Sequence, residues 1–178
     1  MAFYVNETRL AAKLHDGDPN ARTELFYGYF NRLYSFIFYC VGKESEIAED
    51  ITRLTFIEAI NSVKEYPIMN KLYIWLLMIA NRNITGYFNQ TKNIKKPHKH
   101  VVADDPDSPR PIINAEFEKA LYELPLQHRQ IILMRYIEEI PVHDIGFILS
   151  LTPKYIETIL NQAQNTLKDC RVNSTIVR

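Results

Sequence analysis

Along residues 154–168, Lys154, Glu157, Thr158, Asn161, Gln162, Gln164, Asn165 and Lys168 alternate with apolar residues at a helical rhythm. The apolar members, Ile156, Ile159, Leu160, Ala163 and Leu167, recur at three- and four-residue steps, which places the polar set on the outer face of a helix. A side-chain amide offers a donor and an acceptor that suit base edges, adenine above all. Phosphates instead need Lys or Arg, and this face holds only Lys154 and Lys168. It is better equipped to read bases than to hold a backbone.

Nothing else in the chain is arranged for catalysis. The five histidines are scattered or lie at His98 and His100, a His-x-His pair with no third ligand in view. There is no Gly-rich phosphate loop and no Ser/His/Asp arrangement. The chain is therefore expected not to be an enzyme, and no metal and no cofactor is expected. Cys40 and Cys170 are far apart, without metal-ligand spacing or a disulfide framework, and suit the reduced thiols of a cytoplasmic protein.

The amide-rich helix needs an element to position it. Ile145, Ile148 and Leu149 make an apolar face just upstream, and Ser150-Leu151-Thr152-Pro153 separates the two runs. Leu151 can plug the shared core, Thr152 is a good N-cap and Pro153 suits the first helical position. This is the pattern of a helix-turn-helix, whose second helix in DNA-binding versions enters the major groove. A packed helical hairpin has the same pattern. Charge argues for the hairpin, because residues 115–170 carry 5 Lys plus Arg against 8 Asp plus Glu, net −3.

Upstream, Thr8–His15 reads as a short amphipathic helix, and Asp18-Pro19 opens a long one to about Val41. Leu25, Tyr29, Leu33, Phe36, Ile37 and Cys40 form its inner face, and its many aromatics read as core. Ser45 is expected to cap a third helix over about Glu46–Val63, with Ile47, Ile51, Leu54, Phe56, Ile60 and Val63 inward. Its outer stripe, Glu46, Glu49, Asp50 and Arg53, suits either plain solvation or docking. A fourth helix from Lys71 to about Asn89 is apolar nearly all round at LYIWLLMIA, which makes it central, with Trp75 in the core. Its polar shoulder, Asn81, Arg82, Asn83 and Thr85, suits a nucleic-acid strand or an ordinary surface.

From Thr91 to Pro111 periodicity stops, lysines give way to Asp104, Asp105 and Asp107, and prolines recur. Asn114 can cap a helix over Ala115–Glu123, and another follows over Gln127–Ile137. The expected fold is all-α, with two small helical domains at residues 1–90 and 114–170, a flexible linker at 91–113 and a tail at 171–178. The 178 residues balance 21 basic against 21 acidic side chains, so no global field draws the chain to nucleic acid. The first residues lack the pattern of a signal peptide. The longest apolar runs are too short for a bilayer, so no direct membrane insertion is expected.

Taken in order, these motifs resemble a sigma-70 type RNA polymerase sigma factor of the extracytoplasmic-function (ECF) group, which keeps only regions 2 and 4. Asp18-Pro19 and Leu25-Phe26-Tyr27 to Leu33-Tyr34 look like the opening of region 2. Ile47 to Phe56 is similar to the family's A-E-D-x-x-Q-E-T-F run, and Trp75-Leu76 with Ile79-Ala80 and Arg82 to its W-L-x-x-I-A-x-N segment. Leu121 to Ile145 follows the region 4 pattern of L-P-x-x-x-R, R-Y and the first helix-turn-helix helix.

The resemblance implies a transcription initiation factor with core RNA polymerase, promoter DNA and an anti-sigma factor as partners. Glu49, Asp50 and Arg53 would dock on the polymerase clamp helices. Tyr66, Asn70, Lys71, Trp75, Asn81, Arg82 and Asn83 would engage the −10 element. Lys154, Tyr155, Thr158, Asn161, Gln162, Asn165 and Lys168 would meet the −35 element. The linker would thread towards the polymerase cleft.

The chain departs from the family where charge is concerned. Glu157-Thr158-Ile159 replaces a K-S-R run, Gln162 to Thr166 replaces R-A-R-K-R, and Tyr73, Met78 and Asn81 fill basic positions of region 2. A promoter-specificity subunit and a sigma-like interaction protein that no longer reads a −35 element both remain open.

Overall fold

The computed structural model describes residues 6–65, 71–91 and 115–171, with backbone only at 91, 116 and 164–171. Every regular element among the described residues is helical. The chain divides into two compact units, Met1–Pro109 and Arg110–Arg178. The expected linker at 91–113, apart from Thr91, lies outside the described residues, as do the Asn70 and Asn114 caps.

In the first unit α1 spans Glu7–His15, α2 Pro19–Cys40, α3 Ser45–Asn61 and α4 Leu72–Thr91, with a 3-10 turn at Val63–Glu65. The Asn6 side chain accepts from the Arg9 N–H, and Asp18 accepts from the Asn20 N–H at 2.9 Å with Pro19 at the first helical position. Each bond satisfies an amide that the helix itself leaves without a partner.

Ser45 does not cap α3. Gly42 and Lys43, at φ 80° and 67°, turn the chain sharply after α2, so the extended cap residue is Glu44 and Ser45 is already helical. α3 also ends earlier than Val63, where the Ser62 hydroxyl donates to the Glu58 carbonyl at 2.7 Å.

The core of this unit contains Leu10, Leu25, Leu33, Phe36, Ile37 and Phe38 from the first two helices and Leu72, Leu76, Leu77 and Ile84 from α4. The aromatics of α2 are mostly core, since Tyr29, Tyr34, Phe36, Phe38 and Tyr39 are buried. Phe30 is half-buried, and Phe26 and Tyr27 reach solvent. Against this core α3 sets Ala48, Ile51, Thr52, Thr55, Phe56 and Ala59, mostly small residues that allow neighbouring backbones to approach. Thr52 and Thr55 are buried at no hydrogen-bonding cost, because each hydroxyl donates to the carbonyl four residues back, at 2.6 and 2.7 Å.

The second unit contains α5 (Ala115–Glu123), α6 (Leu126–Ile132), α7 (Val142–Leu149) and α8 (Pro153–Arg171). The single helix expected over Gln127–Ile137 instead widens into a π turn at Leu133–Ile137. It closes with the Glu138 N–H on the Leu133 carbonyl and the Ile140 N–H on the Met134 carbonyl, while Glu139 adopts φ 56°. Arg129 gathers the end of α5, donating to the carbonyls of Leu121, Tyr122 and Leu124 at 3.2, 3.1 and 3.4 Å. That explains why an Arg follows the Leu-Pro turn at this spacing.

Between α7 and α8, Ser150 is left-handed at φ 55° and the Leu151 N–H reaches the Gly146 carbonyl at 2.9 Å. A Cβ on Gly146 would lie 2.7 Å from the Leu151 carbonyl oxygen, so only glycine fits there without a shift. Thr152 Oγ1 accepts from the Tyr155 N–H at 3.3 Å with Pro153 at the first helical position. Ile145 and Ile148 of α7 and Ile156, Ile159, Leu160 and Ala163 of α8 are buried, while Leu149 and Leu151 are only half-buried.

Candidate nucleic-acid and protein interfaces

The α3 stripe is on the surface. Glu46, Glu49, Asp50 and Arg53 are all exposed, and Arg53 donates to Asp50 at 3.0 Å with the two side chains 65% and 76% accessible. Such a pair contributes little to stability. The same face carries Leu54 and Ile57, 45% and 50% exposed. Leu54 was expected inward, but the small residues facing α2 and α4 turn it to solvent. Asp50, Arg53, Leu54 and Ile57 share the spacing of one helical face, so apolar area and charge stand side by side. That combination is the anatomy of a protein interface, with an apolar centre and a polar rim.

The residues expected to meet the −10 element divide. Tyr66 and Asn70 lie outside the described residues. Lys71 and Arg82 are exposed and Trp75 is half-buried, on one line along α4. Trp75 is thus not a core residue; Tyr73, two positions earlier, is the buried aromatic, because α4 turns its Leu72, Tyr73, Leu76, Leu77 and Ala80 face inward. Asn81 is half-buried. Arg82 donates to Glu58 Oε2 of α3 at 2.9 Å, and Asn83 Nδ2 donates to the same oxygen at 3.1 Å and lies 3.4 Å from Thr55 Oγ1.

Sequence reasoning missed Glu58, which ties the polar shoulder of α4 to α3. Only its position opposite a basic and an amide residue, 24 and 25 residues on, reveals it. Further along α4, burial and the Glu44 carboxylate push the Tyr87 phenol above its usual range.

On α8, Lys154, Tyr155, Thr158, Asn161 and Gln162 are exposed. The Thr158 hydroxyl donates to the Lys154 carbonyl at 2.9 Å, and Tyr155 Oη is 3.5 Å from Gln127 Oε1. The side chains of Asn165 and Lys168 lie outside the described residues. Lys154 is the one cation on the described part of this face, and Glu157 stands on it too. Phe147 of α7, 59% exposed, is a further apolar surface residue that periodicity did not flag. Among the described residues no group of acidic, His or Cys side chains could hold a metal ion. No described helix is long and apolar enough to cross a membrane.

Two regions, one with an exposed charged and apolar stripe on α3 and one with a helix-turn-helix, can be set beside known proteins. No protein-family model matches the chain. Among curated proteins it is 24% identical over 172 residues to the ECF RNA polymerase sigma factor SigW of Bacillus subtilis, spanning 85% of this chain and 89% of SigW. It is 23% identical over 162 residues to the ECF sigma factor SigM of the same organism, spanning 82% and 91%. The chain is related to the ECF sigma factors. The structure of CnrH in complex with the cytosolic domain of CnrY shares its fold, with a TM-score of 0.72 at 17% identity over 96% of this chain and all of CnrH. The all-α class expected from sequence is thus the class of this ECF-related chain.

Proposed function

We propose that the chain is an alternative sigma factor that binds core RNA polymerase and directs it to specific promoters. The observation that carries the reading is the extent of the likeness, which spans more than four-fifths of both the chain and its sigma-factor relatives. On this reading residues 1–90 are a region 2 domain, 114–170 a region 4 domain and 91–113 the flexible linker, with 171–178 a tail. Glu49, Asp50 and Arg53, joined by Leu54 and Ile57, dock on polymerase. Lys71, Trp75 and Arg82, with Tyr66, Asn70, Asn81 and Asn83, engage the −10 strand. Lys154, Tyr155, Thr158, Asn161, Gln162, Asn165 and Lys168 face the −35 groove.

Polymerase supplies the chemistry, so the chain acts without enzymatic activity, metal or cofactor, and it works in the cytoplasm. An anti-sigma factor is the regulatory partner. Run-off transcription with core polymerase tests the proposal: initiation at discrete start sites is expected, and polymerase binding without initiation rules it out.

The single described cation on the outer face of α8 favours a second reading. In it the chain binds polymerase or a regulator but does not read a −35 element. Promoters with a scrambled −35 sequence separate the two, since equal initiation from both templates supports this second reading.

A further inference from the structure

Glu7, in the first turn of α1, is absent from every contact proposed above. Its carboxylate accepts from two donors, the Tyr29 hydroxyl at 2.7 Å and the backbone N–H of Leu72 at 3.1 Å. Leu72 is the first residue of α4, where amides have no partner inside the helix. A carboxylate at that place satisfies an orphan donor and faces the positive end of the helix dipole. A side chain next to the helix normally does this; here the group comes from 65 residues away.

The second donor ties the same point to α2. The Tyr29 and Tyr73 rings stack in parallel but offset, with centroids 5.8 Å apart and planes 10° apart, and the Arg32 guanidinium covers the Tyr73 ring at 3.9 Å. The first turn of α4 is thus held by a charge-assisted hydrogen bond from α1 and by a stack from α2. Lys71 and Trp75 sit at this end of α4, so a slide or rotation of the helix start would displace both.

We propose that Glu7 is a positioning residue for promoter capture. By fixing the first turn of α4 it sets where Lys71 and Trp75 meet the single strand of the −10 element. The inference rests on the sigma-factor reading. Polymerase docking, assigned to α3, does not run through Glu7.

The test uses the full chain bound to core polymerase and a single-stranded oligonucleotide carrying the promoter's non-template −10 sequence. Glu7→Ala is expected to weaken strand binding roughly tenfold, the scale of one charge-assisted hydrogen bond. It should leave affinity for core polymerase within about twofold, well inside that same scale. Glu7→Gln, which retains an acceptor for the Leu72 N–H, should recover most of the loss. Tyr29→Phe, which leaves the carboxylate on α4, should lose less than Glu7→Ala.

Wild-type strand affinity in Glu7→Ala overturns the inference. So does a parallel loss of strand and polymerase binding, which would make Glu7 a fold-holding residue only. A wild-type holoenzyme that captures no strand overturns the sigma-factor reading as well, so the two failures are told apart.

Discussion

The outward face of α3 sets Leu54 and Ile57 beside Asp50 and Arg53, whereas that of α8 between 154 and 162 offers amides, hydroxyls, one Lys and one Glu. The first can bury apolar area on a partner and use charge to fix register. The second can discriminate bases but has little to hold phosphates with. If α3 anchors the chain on polymerase, the α8 helix acts at a high effective concentration and needs little affinity of its own.

Four substitutions test the difference between the two faces. Leu54→Asp puts a charge in the apolar centre of the proposed docking face and should act most strongly. It should weaken polymerase binding by about a hundredfold, on the scale of an interface hot spot. Because Leu54 is half exposed, helical content should stay normal; circular dichroism with a pull-down checks both. Equal binding would show that polymerase docks elsewhere.

Gly146→Ala acts on the other unit. Its Cβ would press on the Leu151 carbonyl, and the cost of such overpacking is about 1–3 kcal/mol. Thermal unfolding should report the loss in α5–α8 while polymerase affinity holds. Loss of polymerase binding in this variant would mean that docking depends on α7 and α8.

Asp50→Lys should cut polymerase binding by about tenfold, the scale of an interfacial charge change, mainly through slower association at low salt. Stopped-flow measurement at two ionic strengths would show whether the stripe steers or merely solvates. The smallest effect is expected from Glu157→Lys. One added phosphate contact should steepen the salt dependence of DNA binding by the isolated full chain by about one. An unchanged slope would remove α8 from the DNA contact.

Much of this arrangement is legible in the sequence. The Asp18-Pro19 start of α2 and the Thr152-Pro153 start of α8 are found where expected, with the expected side-chain bonds. Ser45 was misplaced because the positive φ angles of Gly42 and Lys43 determine which residue is extended. Helical spacing puts Leu54 inward, and the all-round apolar run LYIWLLMIA puts Trp75 in the core, both on the rule that apolar residues are buried. On α3 and α4 that rule failed, since both helices carry more apolar residues than one face can bury.

The all-α class, the Asp18 and Thr152 caps and the turn between α7 and α8 are legible in the sequence alone. These depend on interactions within about four residues, which spacing and residue type express directly. That Leu54 and Ile57 join the charged outer stripe of α3 follows from the packing of the helix and not from its spacing. That packing is set by how closely Ala48, Thr52, Thr55 and Ala59 allow its neighbours to approach. The tertiary structure alone revealed Glu58 holding Arg82 and Asn83, and Glu7 holding the start of α4. Those bonds join residues 24 to 65 positions apart, and no local pattern encodes which distant carboxylate will arrive.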